Sequence, residues 1–270
     1  ALESSRQVGE LRYNKLKGVK ANVAPILWQH GAIARLDSDE DILKAIDERG
    51  FTVTIGYSAL YEAVKYLTGY SHTTKQGFPL AESIMKHLKS TCDKFKENQP
   101  HLRFALYGTP QESSTEWFNN ALVKEFGVVK DISDKGFVTN SYHVDVREEI
   151  DAFNKLKIES ELQKYSTGGA VSYIETYNMQ KNTEAIMQVI QYIYETIIYA
   201  EINFESDVCG VCKYTGVVEN DPETLDWVCP QCGNRDQNKL SVVRRTCGYL
   251  SETMWNKGRK LDILNRVKHL

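Results

Sequence analysis

Four cysteines in two close pairs constrain this chain more than any other feature. C-G-V-C-K-Y-T-G begins at Cys209 and C-P-Q-C-G-N at Cys229, which gives C-x2-C, sixteen residues, C-x2-C. Each pair turns tightly enough to put two thiolates on one ion, and Gly210, Gly216, Gly233 and Pro230 suit such turns. Cys209, Cys212, Cys229 and Cys232 therefore make a candidate four-sulfur metal site in a small ribbon. A closed tetrahedral shell leaves no position for water, so the ion would hold a segment in place and would not be the catalyst.

Zinc is the default ion for a four-thiolate site in a short glycine-rich hairpin. The same turns occur in rubredoxin-like iron sites, so an electron carrier stays open. Five of the six cysteines lie in the last quarter and Cys92 stands alone. A disulfide-stapled secreted protein would spread them through a shorter chain, so a reducing compartment fits better. No run of about 18 apolar residues and no signal-peptide pattern is present, which predicts a cytoplasmic protein with no membrane span. The chain begins at Ala1 without methionine, as a piece of something longer or a processed product would. A net charge of -3 gives no electrostatic footprint for nucleic acid or an anionic membrane.

Ahead of the cysteines, strand-like and helix-like patterns alternate. Strands are predicted over Phe51–Ile55, Leu102–Tyr107, Gly136–Asn140, Ala170–Glu175 and Glu201–Phe204. Ile186, Val189, Ile190, Ile193 and Ile197 predict a helix capped by Asn182. A second helix begins near Pro79, with Cys92 on its apolar stripe as a core thiol. Others are expected over Arg147–Tyr165 and near Leu261–His269, and the acidic run Asp37–Asp41 reads as a helix start capped by Ser38. The order is α/β with parallel pairing. Composition shifts near residue 206, which divides the chain into 1–205, a cysteine ribbon 206–240, and 241–270.

Just past the ribbon stands R-R-T-C-G-Y-L, Arg244 to Leu250. Taken alone it reads as one more ribbon strand ended by Gly248 at a bend. Directly after a four-cysteine ribbon, however, it resembles the glycyl-radical loop of the anaerobic, class III ribonucleoside-triphosphate reductases. L-K-G-V-K-A-N-V-A-P-I-L-W, G-F-T-V-T-I-G-Y-S-A-L-Y-E, Y-G-T-P-Q-E-S-S, F-V-T-N-S-Y-H-V and T-G-G-A-V-S-Y-I-E resemble the C-terminal half of that family, phage members in particular. The resemblance implies half of a ten-stranded α/β barrel of the glycyl-radical enzyme type, then a zinc ribbon and a radical loop.

In that family a radical is stored on the glycine, here Gly248. A radical on Cα spreads into both flanking peptide groups only if the centre can flatten, and glycine has no Cβ to obstruct this. Cys247 and Tyr249 flank it without assigned roles.

G-T-P-Q-E-S-S follows the strand that ends at Tyr107. As physics alone it is a capping box, with Thr109 as N-cap, Pro110 at N1 and Glu112 at N3. It is also a ready anion site, and the resemblance implies a substrate phosphate loop of Gly108, Thr109, Ser113 and Ser114. Thr139–His143 would line the barrel nearby, with no catalytic role given to His143.

Cys92 sits in a helix pattern and does not match the finger-loop cysteine that becomes a thiyl radical in the family. The implied function is the radical-bearing part of a reductase that makes 2′-deoxyribonucleotides, inactive without an N-terminal half. The implied partners are that half or a second copy in a dimer, a radical S-adenosylmethionine activating enzyme, the ribonucleotide, and formate or a thiol reductant. The rivals are a non-catalytic zinc-ribbon interaction module, the electron carrier, and another glycyl-radical enzyme. The acidic residues of T-G-V-V-E-N-D-P-E-T-L-D-W count against nucleic acid for the first of these.

Overall fold

The computed structural model describes residues 1–99, 101–111, 114–179, 181–246, 249–251 and 256–270. In chain order the main elements are α1 (Leu2–Lys15), α2 (Pro25–Trp28), α3 (Leu43–Arg49), β1 (Phe51–Gly56), α4 (Leu60–Thr68), α5 (Phe78–Asn98), β2 (Leu102–Tyr107), α6 (Ser114–Phe126) and α7 (Ala152–Gln163). There follow β3 (Ser172–Thr176), α8 (Thr183–Thr196), β4 (Ala200–Phe204), the short strands β5 (Asp207–Cys209), β6 (Thr215–Gly216), β7 (Glu219–Asn220), β8 (Trp227–Val228) and β9 (Leu240–Ser241), then β10 (Arg244–Thr246), β11 (Tyr249–Ser251) and α9 (Lys257–Leu264). Among the described residues no helix is long and apolar enough to cross a membrane.

Residues 1–55, 85–107 and 166–168 form one compact unit. Its two strands, β1 and β2, pair with each other. Met85, Cys92, Leu102 and Leu106 are buried in it, and Phe95 meets Phe104 edge-on at 5.6 Å. Cys92 is thus a core thiol, and burial pushes it up to about 11, the inert state of a cysteine in apolar surroundings.

Residues 56–84, 108–165 and 169–270 form the other unit. Its frame is a βαβ crossover in which β3 and β4 run parallel, Ser172 opposite Ala200 and Thr176 opposite Phe204. The crossover helix α8 is capped by the Asn182 side chain, which accepts from the Ala185 N–H at 3.3 Å. Helix α7 is capped by Asp151, whose carboxylate takes the N–H groups of Phe153 and Asn154 at 3.0 Å. Ala152, Leu156, Ile174, Val189 and Ile197 fill the space between these elements.

The structure corrects several expectations. Among the described residues four strands, in the pairs β1–β2 and β3–β4, stand where five were expected. Residues 136–140 make no strand; Phe137 and Val138 are buried, but the segment is held as a loop by side chains described below. The helix expected from Arg147 begins at Ala152, after its Asp151 cap. The last helix ends at Leu264, because the tail bonds to β3 instead: the His269 N–H donates to the Glu175 carbonyl at 2.8 Å.

Ser38 caps nothing, since α3 starts at Leu43 after the Ile42 backbone. The acidic run serves as a turn, in which Asp41 accepts from the N–H groups of Gly18 and Leu43 at 2.8 and 2.9 Å. Nor is Thr109 a helix cap: Pro110 and Gln111 are not helical, and α6 is described from Ser114.

Candidate functional site

The four cysteine sulfurs all lie within 4.8 Å of one another. Cys209 and Cys232 approach to 3.8 Å, and Cys212 and Cys229 to 3.7 Å. A tetrahedral shell with bonds of about 2.3 Å has edges of about 3.8 Å, so the donor set matches the size of a bound zinc-like ion. The two turns share one backbone design. Lys213 and Gly233 donate to the carbonyls of Cys209 and Cys229 at 2.9 Å, and those cysteines donate to Tyr214 and Asn234 at 2.9 and 3.0 Å.

The thiols are linked in their ionisation, the Cys212 and Cys232 side chains favouring the Cys209 thiolate and Cys209 in turn opposing theirs. N–H groups of Cys212 and Val211 hold Cys209 down to about 6. Cys232 is pushed up to about 12, the Asn234 N–H favouring its thiolate but the neighbouring sulfurs opposing further negative charge. A cation at the centre removes that opposition, because metal ligation requires the thiolate form. Around the sulfurs Val218, Trp227, Leu240 and Val242 make a small core of their own.

The ribbon leads into β10, which pairs antiparallel with β11, Thr246 opposite Tyr249. Cys247 and Gly248 lie outside the described residues. The strand that enters them is held firmly. Arg244 pairs with Asp207, and Arg245 with Glu201 at 2.6 Å.

At the other candidate site, Gly108 donates its N–H to the Gly169 carbonyl at 2.9 Å. A Cβ there would sit 2.8 Å from the Ala170 Cβ, so the close approach demands glycine. That N–H is already engaged. Thr109 packs on Gly56, whose added Cβ would stand 2.2 Å from the Thr109 Oγ1. Gln111 ties the loop down: its N–H donates to the Asn140 Oδ1 at 3.1 Å, and its carbonyl accepts from the Arg259 Nη2 at 2.8 Å. Ser114 is the first described residue of α6, while Glu112 and Ser113 lie outside the described residues.

With this geometry in view, comparison with known proteins decides the family. The sequence profile of the anaerobic ribonucleoside-triphosphate reductases matches residues 1–269. The chain belongs to that family. It is 35% identical over 265 residues to the anaerobic ribonucleoside-triphosphate reductase of Escherichia coli K12, covering 96% of this chain and 37% of the relative. Against the enzyme of Enterobacteria phage T4 it is 36% identical over 262 residues, covering 96% of this chain and 41% of the relative. The chain therefore spans about two fifths of the curated relatives it matches. In fold it is similar to the anaerobic ribonucleotide reductase from Thermotoga maritima with glycerol in the active site, with a TM-score of 0.60, 17% identity, and coverage of 92% of this chain and 36% of that one.

In this reductase-family chain, Thr139–His143 is fixed by groups with no sequence signature. Lys135, buried, contacts Glu62 at 2.7 Å, Thr139 at 2.8 Å, and Asp145. Glu62 in turn accepts from the Thr139 N–H and hydroxyl at 2.8 Å. The free N–H groups that open α4 are spent here too, Ala59 donating to the Thr139 carbonyl at 2.9 Å. His143 Nε2 meets the Val171 carbonyl at 2.7 Å, and burial lowers its pKa. A small cavity bounded by Asn140, His143, Tyr173, Glu175, Arg245 and His269 lies beside it. Sequence reasoning missed Glu62, Lys135, Asp145 and Arg259, since no motif marks them and the contacts of Glu62 with Thr139 and of Arg259 with Gln111 join residues distant in the chain.

Proposed function

We propose that this chain is the radical-bearing part of an anaerobic ribonucleoside-triphosphate reductase, converting ribonucleotides to 2′-deoxyribonucleotides together with the remainder of the enzyme. The single observation that carries the reading is the family match over residues 1–269. A four-sulfur cluster immediately before Arg-Arg-Thr-Cys-Gly-Tyr supports it. Residues 1–205 would be the barrel portion, 206–240 a zinc ribbon, and 241–270 the radical loop with its closing helix.

Gly248 is the radical store in this reading. The site formed by Cys209, Cys212, Cys229 and Cys232 would hold zinc, which supplies no redox chemistry and fixes the ribbon. Gly108, Thr109, Ser113 and Ser114 would face the substrate phosphates. The Gly108 N–H is spent on Gly169, so the hydroxyls and the α6 terminus would carry that role. A radical S-adenosylmethionine enzyme would install the radical, the remainder of the reductase would supply the cysteine that attacks the ribose, and formate or a thiol would be the electron source.

The test is anaerobic activation of the reductase with its activating enzyme, read by electron paramagnetic resonance with glycine deuterated at Cα. A doublet that collapses on deuteration and is absent from Gly248→Ala is expected. A doublet that persists in Gly248→Ala overturns the assignment.

A further inference from the structure

Two residues placed alike in the two cysteine turns meet at one side chain of the strand beyond them. Asp207 stands two residues before Cys209, and Trp227 two before Cys229. Both hold Arg244, the first residue of β10. The Arg244 Nη2 donates to the Asp207 Oδ2 at 2.7 Å, and its Nη1 to the other carboxylate oxygen. The guanidinium lies over the Trp227 ring, 5.0 Å from its centroid. Asp207 also accepts from the Val218 N–H at 2.8 Å. The Asp207 and Arg244 side chains are 0% and 6% exposed, so the pair is sealed from water.

Arg245 faces the opposite way, as adjacent residues of a strand must. It reaches Glu201 on β4 at 2.6 Å, and its carbonyl accepts from the Arg266 Nη1 at 3.1 Å. The strand is thereby gripped on one face by the cysteine module and on the other by the β3–β4 frame. A buried ion pair is a poor device for stability alone, because apolar groups of the same volume serve as well; its strength is fixed geometry. A bidentate guanidinium stacked on an indole fixes both rotation and register.

We propose that Arg244 is a positioning residue. It transmits the geometry of the four-cysteine module to the strand that enters residues 247–248, through Asp207 and Trp227. The proposal rests on the reading of Gly248 as the radical site. Without Arg244 the four-cysteine site still forms, but β10 loses its fixed register against the module, and radical activation falls with it.

The experiment uses the complete reductase polypeptide that contains this sequence, as wild type, Arg244→Lys and Arg244→Met. Metal content and the thermal midpoint are measured first, then the yield and line shape of the glycine doublet after anaerobic activation. Methionine fills the volume without charge; lysine keeps the charge but loses the bidentate stack. Both variants are expected to keep stoichiometric metal, with the radical yield of Arg244→Met lowered by about tenfold or more, as displacement of a reacting group predicts. Arg244→Lys should recover part of the yield with an altered hyperfine splitting. Wild-type yield and line shape in Arg244→Met with full metal overturn the proposal. So does loss of metal in both variants, which makes Arg244 a support of the metal site itself. Absence of the doublet from wild type removes the radical reading, and this proposal with it.

Discussion

Lys213 and Gly233 occupy the same place in the two cysteine turns, each the residue after the second cysteine, with φ of +63° and +70°. Both donate their N–H to the carbonyl of the first cysteine in their turn. Only Gly233 is suited to that left-handed backbone; Lys213 bears its cost, about 1 kcal/mol. Gly233→Ala should destabilise the ribbon by about that amount, because no atom lies within 4 Å of the added Cβ and backbone strain is the whole effect. Lys213→Gly should be neutral or stabilising by less than about 1 kcal/mol, since glycine also loses more entropy on folding. Metal competition against a chelator would register both changes, and a large loss in Lys213→Gly would refute the equivalence of the turns.

Lys135 neutralises two buried carboxylates at once. Lys135→Ala would leave Glu62 buried without its cation and Asp145 with Arg147 alone, a loss of about 3–5 kcal/mol. Lys135→Ala combined with Glu62→Gln should recover part of it. Hydrogen exchange at Thr139–His143 should rise in the single variant and fall back in the double. Unchanged protection there in Lys135→Ala would show that the loop is held by its backbone alone.

The parts legible in the sequence are those fixed by local patterns. Leu102–Tyr107 is a strand over the bounds read from its apolar and aromatic run, and Asn182 caps α8 because a side-chain oxygen three residues before a free N–H needs no tertiary help. The cysteine cluster was legible because the spacing itself carries the chemistry. Gly136–Asn140 was misread for the opposite reason: its strand-like residues are overruled by Lys135, Glu62 and Asp145, the first two of them far apart in the chain. Thr109 shows the same limit. Its capping box is sound locally, yet the loop is committed through Gln111 to Asn140 and Arg259.

Two buried histidines make the fold acid-sensitive. Burial lowers His72 to about 4, and burial with nearby Lys155 lowers His269 to about 4. Each folded value lies below the unfolded value of about 6.5, so the unfolded chain takes up protons first as pH falls. Stability is therefore complete above about pH 6.5 and declines towards pH 4, by roughly 3 kcal/mol for each histidine. The urea midpoint followed from pH 7 to pH 4 should fall for wild type, and fall less steeply for His72→Phe. Identical slopes would mean that His72 does not charge in this range.

The cysteine module and β10 should loosen together when the metal-binding site is disabled. Arg244 is held by Asp207 and Trp227, which are themselves placed by the backbone turns around Cys209 and Cys229. A bound cation would offset four crowded thiols; Cys229→Ser, or a strong chelator, would remove it, and structural four-sulfur sites supply folding free energy directly. Amide exchange over residues 207–246 should then accelerate by orders of magnitude, while β3, α7 and α8 stay protected by their own core of Leu156, Ile174 and Val189. Exchange that rises around the cysteines but not at Arg244–Thr246 would show that Arg245 and Glu201 hold the strand without the module. Retention of stoichiometric metal by Cys229→Ser would remove that cysteine from the ligand set.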